Sequence, residues 1–93
     1  MPNKMTLDEI LNDLQAVESK ILEYQKKYKL LSSYFYKLYQ AGNLEESWDF
    51  QNWAGLYEIK LDREQEYDKM LEEVIETLPL TSMSVKDVIS NLK

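Results

Sequence analysis

Apolar residues in the first third of the chain follow a regular helical seam. Their spacing alternates between three and four residues, and the seam comprises Leu7, Ile10, Leu14, Val17, Ile21, Tyr24, Tyr28 and Leu31. This spacing is typical of a coiled coil and predicts a helix over residues 7–30 that packs against another helix. Thr6 and Glu9 have the spacing of a capping box, which predicts where this helix begins.

The middle of the chain predicts a short second helix. Ser32 or Ser33 is suited to cap its N-terminus, and Phe35, Leu38 and Tyr39 would form its apolar face. Gly42 follows at the position where helices often end in a left-handed residue. We therefore expect a short helix and a connecting loop.

The third predicted helix is long. Ser47 or Asp49 would cap its start, and Pro79 would end it. Its apolar stripe comprises Phe50, Trp53, Tyr57, Tyr67, Leu71, Val74 and Leu78. Lys60 and Glu64 interrupt this stripe, and their spacing of four residues suits an ion pair. Ala54 and Gly55, next to Trp53, form a small-residue notch. Glycine is unfavourable inside a helix, so we expect a close helix contact there, with a local break as the alternative.

These patterns predict an all-α fold, namely a long helical hairpin in which a short helix joins two long ones. The hairpin domain spans residues 1–79, and residues 80–93 form a short C-terminal amphipathic helix. That tail places Val85, Val88, Ile89 and Leu92 on one face. Leu11 and Leu22 fall off the first seam, so we expect a homodimer that packs as a four-helix bundle with the first helices in central contact.

The composition favours an interaction module over an enzyme. The 93 residues include no His and no Cys, which excludes imidazole and thiol chemistry, the usual zinc sites and disulfides. Two glycines are too few for a Gly-rich phosphate loop. We expect no enzymatic activity, no cofactor and no metal. No apolar run is long enough to cross a membrane and no signal segment is visible, so a cytoplasmic location and no membrane partner are expected.

Charge is unevenly distributed. The net charge is −6, and residues 42–78 hold eleven acidic against three basic side chains. This acidity disfavours direct nucleic-acid binding, the weakest of the hypotheses considered, and would suit a basic protein partner. The alternative is a solvated helix face that keeps the protein soluble.

Two groups of side chains are candidates for partner contact. Most aromatic residues lie between residues 24 and 57; Tyr28, Phe35, Trp53 and Tyr57 fit a core, whereas Tyr34, Tyr36 and Trp48 fall off the stripes and are predicted to be exposed. Glu58, Asp62 and Glu66 share one face of the third helix. Paired carboxylates can bind metal or transfer protons, but helical di-iron sites also use His, so a solvated or partner-binding face is preferred.

Residues 28–58 resemble a family of small helical bacterial and archaeal proteins that are encoded beside ribonuclease-type toxins and treated as antitoxin-like. The matching positions are Tyr28, Phe35, Tyr36, Gly42, Leu44, Asp49, Phe50, Trp53, Ala54, Tyr57 and Glu58. Lys29 stands where the family usually has Gly, and Ser33 and Tyr34 stand where acidic residues are common.

The resemblance implies a non-enzymatic protein that binds and neutralises a cognate toxin through its acidic third helix and its tail, residues Val85, Val88, Ile89 and Leu92 included. The alternative is a self-assembling coiled-coil scaffold or adaptor that has no toxin partner.

Overall fold

A computed structural model describes residues 5–76. It contains helices α1 (Leu7–Tyr28), α2 (Ser32–Gln40) and α3 (Trp48–Glu76), and no strand occurs within these residues. α1 and α3 run antiparallel, because Arg63 contacts Asp13 while Tyr28 contacts Asp49. We call the end where α1 leads into α2, and where α3 begins, the closed end. The predicted all-helical hairpin is confirmed; the tail, residues 80–93, lies outside the described residues.

Local signals fix the ends of α1. The Thr6 hydroxyl accepts from the Glu9 amide at 3.1 Å and the Glu9 carboxylate accepts from the Thr6 amide at 2.9 Å, which confirms the capping box. The helix ends two residues before the predicted limit, because Lys29 has the left-handed backbone angle φ of 54°. A residue in this conformation stops the helix and turns the chain toward α2.

The start of α2 differs from the prediction. Leu31 is the N-cap and makes no side-chain capping hydrogen bond, whereas Ser32 is the first helical residue and is buried. The Leu31 side chain is 59% exposed, so it does not continue the seam of α1; Leu30 packs on the core instead. Gly42 has a φ of 74°, as expected of a left-handed residue after a helix.

The start and the middle of α3 follow the sequence pattern. Ser47, one of the two predicted caps, accepts a hydrogen bond from the Phe50 amide at 3.4 Å, while Asp49 lies in the first turn. The predicted Lys60–Glu64 ion pair is present at 3.5 Å. Both contacts lie within α3 and stabilise its first turn and its middle.

An aromatic core fills the closed end. Trp53 is 0% and Phe35 1% exposed, and their rings stack with centroids 3.8 Å apart. Tyr24 and Tyr28 stack on Trp53 from α1, and Ile21 completes this part of the core. The predicted core positions of Phe35 and Trp53 are therefore confirmed, and three helices meet at one indole ring.

Within the described residues, the prediction of a close helix contact is wrong at Gly55, although Ala54 beside it is buried in the core. A Cβ atom added to Gly55 would meet nothing within 4 Å, and α3 continues through this position without a break. No packing constraint from α1 or α2 therefore requires glycine here.

Candidate interaction surface

A buried hydrogen-bond network holds the closed end together. The Trp53 indole Nε1–H donates to the Ser32 Oγ at 2.8 Å, and the Ser32 hydroxyl donates to Gln25 Oε1 at 2.7 Å. Gln25 Oε1 also accepts from the Ser32 backbone amide at 2.9 Å, so a side chain of α1 satisfies an amide at the start of α2. This network fixes the direction in which α2 leaves α1.

A second network joins α1 to the first turn of α3. Asp49 Oδ2 accepts from Lys27 Nζ at 2.7 Å and from the Tyr28 hydroxyl at 2.5 Å. The hydrogen bond from Lys27 is the main cause of a lowered Asp49 pKa, and the bond from Tyr28 adds to it. The same contacts with Asp49 raise the pKa values of Lys27 and Tyr28. Asp49, which was expected to cap α3, therefore joins α3 to α1 through Lys27 and Tyr28.

Tyr36 is half-buried, which corrects the prediction that it is exposed. Its ring lies against Tyr57 at a centroid distance of 5.1 Å, and its hydroxyl donates to Glu58 Oε2 at 2.6 Å. This hydrogen bond raises the pKa of Tyr36. Tyr36 therefore links α2 to α3 and holds Glu58 at one end of the acidic face.

Tyr34 and Trp48 are exposed, as predicted. Tyr34 is 58% and Trp48 80% exposed, although both have aromatic rings that are commonly buried or used at interfaces. The Lys37 ammonium lies over the Tyr34 ring at 5.6 Å. Trp48, in the first turn of α3, is the more exposed of the chain's two tryptophans.

The acidic face of α3 consists of Glu58, Asp62 and Glu66. All three side chains are exposed, and they recur every fourth residue, about 6 Å apart along the helix. Asp62 accepts from Arg63 at 2.7 Å, and Arg63 also contacts Asp13 of α1 at 3.1 Å. Residues 5–76 contain no group of His, Cys, Asp and Glu side chains arranged to hold a metal ion.

Two open grooves run along α1, one on each side. The first is lined by Leu11, Leu22, Ser32 and Lys60, among others. The second is lined by residues that include Lys20, Tyr24, Gly55 and Ile59. Lys20 and Leu22 are two residues apart, which places them on nearly opposite sides of the helix.

The grooves and the exposed groups form open surfaces suited to binding another macromolecule. The other predicted contact residues, Val85, Val88, Ile89 and Leu92, lie outside the described residues. No described helix has both the length and the apolar character that a membrane-spanning segment requires.

The sequence matches no protein-family model, and neither a curated protein nor a solved structure matches it. The resemblance to antitoxin-like proteins therefore stays a prediction.

Proposed function

We propose that this chain is a non-enzymatic, antitoxin-like protein that binds a basic protein partner and neutralises it. The observation that supports this proposal is the exposed acidic face on a long helix. Residues 58–76 hold eight acidic and three basic side chains. Such a concentration of negative charge attracts basic surfaces and speeds their association.

The geometry of the face suits a row of Lys or Arg side chains. Glu58 is held by Tyr36, and Asp62 is held by Arg63, so two of the three carboxylates already have partners that limit their rotamers. A partner would therefore meet carboxylates that are partly preorganised, which lowers the entropic cost of binding. Under this proposal the protein acts by covering the partner's basic surface.

The test is binding to the purified product of the neighbouring gene. The variant Glu58→Gln/Asp62→Asn/Glu66→Gln removes three charges from the acidic face while it keeps similar side-chain shapes. We expect it to weaken binding by more than about tenfold and to reduce the dependence of binding on salt, since exposed charges are screened by salt.

The matched control removes three charges elsewhere. Asp8, Glu18 and Glu23 are exposed on α1, and the variant Asp8→Asn/Glu18→Gln/Glu23→Gln changes the net charge equally. Equal losses in the two variants would show that only net charge matters and would contradict a specific role for the acidic face. Absence of binding by the unmodified protein would contradict the choice of partner.

A specific observation also favours the second candidate, a self-assembling scaffold or adaptor that dimerises into a helical bundle. Leu11, Leu22, Ile59 and Leu61 are 49%, 46%, 42% and 41% exposed. Partly exposed leucines and isoleucines on both sides of a hairpin gain free energy when a second hairpin covers them. Sedimentation at low micromolar concentration tests this candidate: a constant mass of 11.1 kDa would contradict it.

A further inference from the structure

One side of α3 carries an exposed stripe without charge near the closed end. We call it the Trp48 stripe; it comprises Trp48, Asn52, Gly55 and Ile59, spaced four, three and four residues apart. Trp48 is 80% and Ile59 42% exposed, and no charged residue occurs between positions 50 and 57. A tryptophan in line with other uncharged residues is a composition found at the centres of protein interfaces, and the charged side chains, Lys20 among them, lie beside the stripe.

Gly55 lies in the middle of the Trp48 stripe, and no described residue of the chain packs closely on it. Nothing lies within 4 Å of the position where a Cβ atom would stand. Glycine inside a helix is less stable than alanine, and its usual benefit is that another backbone can approach closely. No described helix of this chain does so, and Gly55 therefore leaves a place where the backbone of a second molecule can approach closely.

We propose that a second copy of this chain docks on the Trp48 stripe, with the two α3 helices antiparallel about a twofold axis between Asn52 and Gly55. This inference rests on the second candidate function, self-assembly, and names its surface. In this register Trp48 lies opposite the partner's Ile59, and Asn52 lies opposite the partner's Gly55. The stripe is therefore complementary to itself, as a twofold interface requires.

The charge distribution favours a dimer in which the two α3 helices overlap only near the closed end. Residues 58–76 have a net charge of −5, whereas residues 48–59, which overlap in this register, contain Asp49 and Glu58 and have a net charge of −2. Antiparallel docking at the closed halves makes the two acidic segments project from opposite ends of the dimer, where they do not face each other. Dimers that place the α3 helices side by side over their full length would oppose two segments of −5.

This dimer leaves the outer part of the acidic face free. Asp62 and Glu66 lie beyond the overlap and remain open to a basic partner. The arrangement differs from the expected contact between the first helices, which would bury Leu11 and Leu22 on the opposite side of α1.

Tryptophan fluorescence measures whether the Trp48 stripe becomes covered on dimerisation. Trp53 is 0% exposed in the folded chain, so a change in tryptophan emission on dimerisation reports on Trp48. As the concentration rises through the dissociation constant, we expect the emission to shift to shorter wavelength and acrylamide quenching to fall. Sedimentation measured in parallel gives the mass of the species.

Variants at the stripe are compared with a control at the other groove. We expect Trp48→Ala and Ile59→Asp each to weaken dimerisation by about 30-fold, the effect of removing an interface hot spot. Leu22→Asp introduces the same charge at a leucine of similar exposure and should change the dissociation constant less than about threefold. Circular dichroism verifies that each variant is folded.

The variant Gly55→Ala distinguishes an effect on the stability of the folded chain from an effect on dimerisation. Its Cβ atom has free space within the chain, so the variant should raise the thermal midpoint of the dilute protein and weaken the dimer by at least about tenfold. A dimer that is insensitive to Ile59→Asp but lost in Leu22→Asp would overturn the proposed surface while self-assembly stood. A constant monomer mass would overturn the surface and self-assembly together, leaving the toxin-binding proposal intact.

Discussion

The substitution Ser32→Ala tests whether the buried network at the closed end stabilises the fold. Ser32 is 4% exposed, and its hydroxyl is the acceptor for the Trp53 indole N–H. Without the hydroxyl this donor stays buried and unpaired. Gln25 Oε1 loses one donor, but it still accepts from the backbone amide of residue 32.

The expected loss of stability comes from the indole N–H of Trp53, which would be buried without a hydrogen-bond acceptor. Leaving a buried polar group unpaired costs about 1–3 kcal/mol. Alanine has a higher helix propensity than serine, which offsets about 0.5 kcal/mol of that loss. We therefore expect Ser32→Ala to lower the free energy of unfolding by about 0.5–2.5 kcal/mol. This corresponds to a fall in thermal midpoint of roughly 2–20 °C for a domain of this size.

The adjacent serine supplies the control. Ser33 is exposed, so Ser33→Ala should leave the free energy of unfolding unchanged or raise it slightly. Both variants are unfolded with urea at one protein concentration, because self-association would make the apparent stability depend on concentration. Equal stabilities for Ser32→Ala and Ser33→Ala would refute the role of the network. In a Trp53→Phe background, where the indole donor is absent, Ser32→Ala should cost less.

Three further predictions concern the closed end. Trp53→Ala should lower the free energy of unfolding by about 3–5 kcal/mol, since it empties the largest core site; an unchanged urea midpoint would contradict the packing described. Lys29→Gly should raise it by about 0.5–1 kcal/mol, because φ is 54° at this position; a loss of stability would show that the Lys29 side chain matters more than its backbone strain. Asp49→Asn should flatten the acid limb of the pH–stability curve. Because the pKa of Asp49 is lowered in the folded state, its carboxylate stabilises the fold at pH values above its ordinary pKa of 3.8. This stabilisation is lost as the pH falls through the lower pKa of the folded state. Identical acid limbs for the two proteins would show that the contacts with Lys27 and Tyr28 do not stabilise the fold.

The sequence was sufficient to predict features that depend on spacing along one helix. The seam of α1 as far as Tyr28, the Thr6–Glu9 capping box and the left-handed Gly42 are local signals, and the structure contains all three. Phe35 and Trp53 could be placed in the core because apolar spacing identifies the buried face of a helix. No particular partner residue was needed for any of these predictions.

The polar contacts between helices could not be predicted from residue spacing along one helix. Ser32 and Asp49 are both good capping residues, so the local signal concealed their tertiary roles, namely with Trp53 and with Tyr28. Tyr36 falls off the apolar stripe, so spacing predicts it to be exposed, whereas its ring is half-buried and its hydroxyl reaches Glu58. Each of these contacts joins residues more than twenty positions apart, and hydrophobic periodicity carries no information about such pairs.

The position of the aromatic core at the closed end has a consequence for the order of folding. The contacts of Trp53 with Ser32 and of Tyr28 with Asp49 span 21 residues, whereas the Asp13–Arg63 contact near the other end of the hairpin spans 50. Closing the longer loop directly costs about 0.8 kcal/mol more chain entropy than closing the shorter one. The cheaper closure also brings together the largest rings. We therefore expect the folding nucleus to form around Trp53 and the two long helices to pack progressively toward the open end.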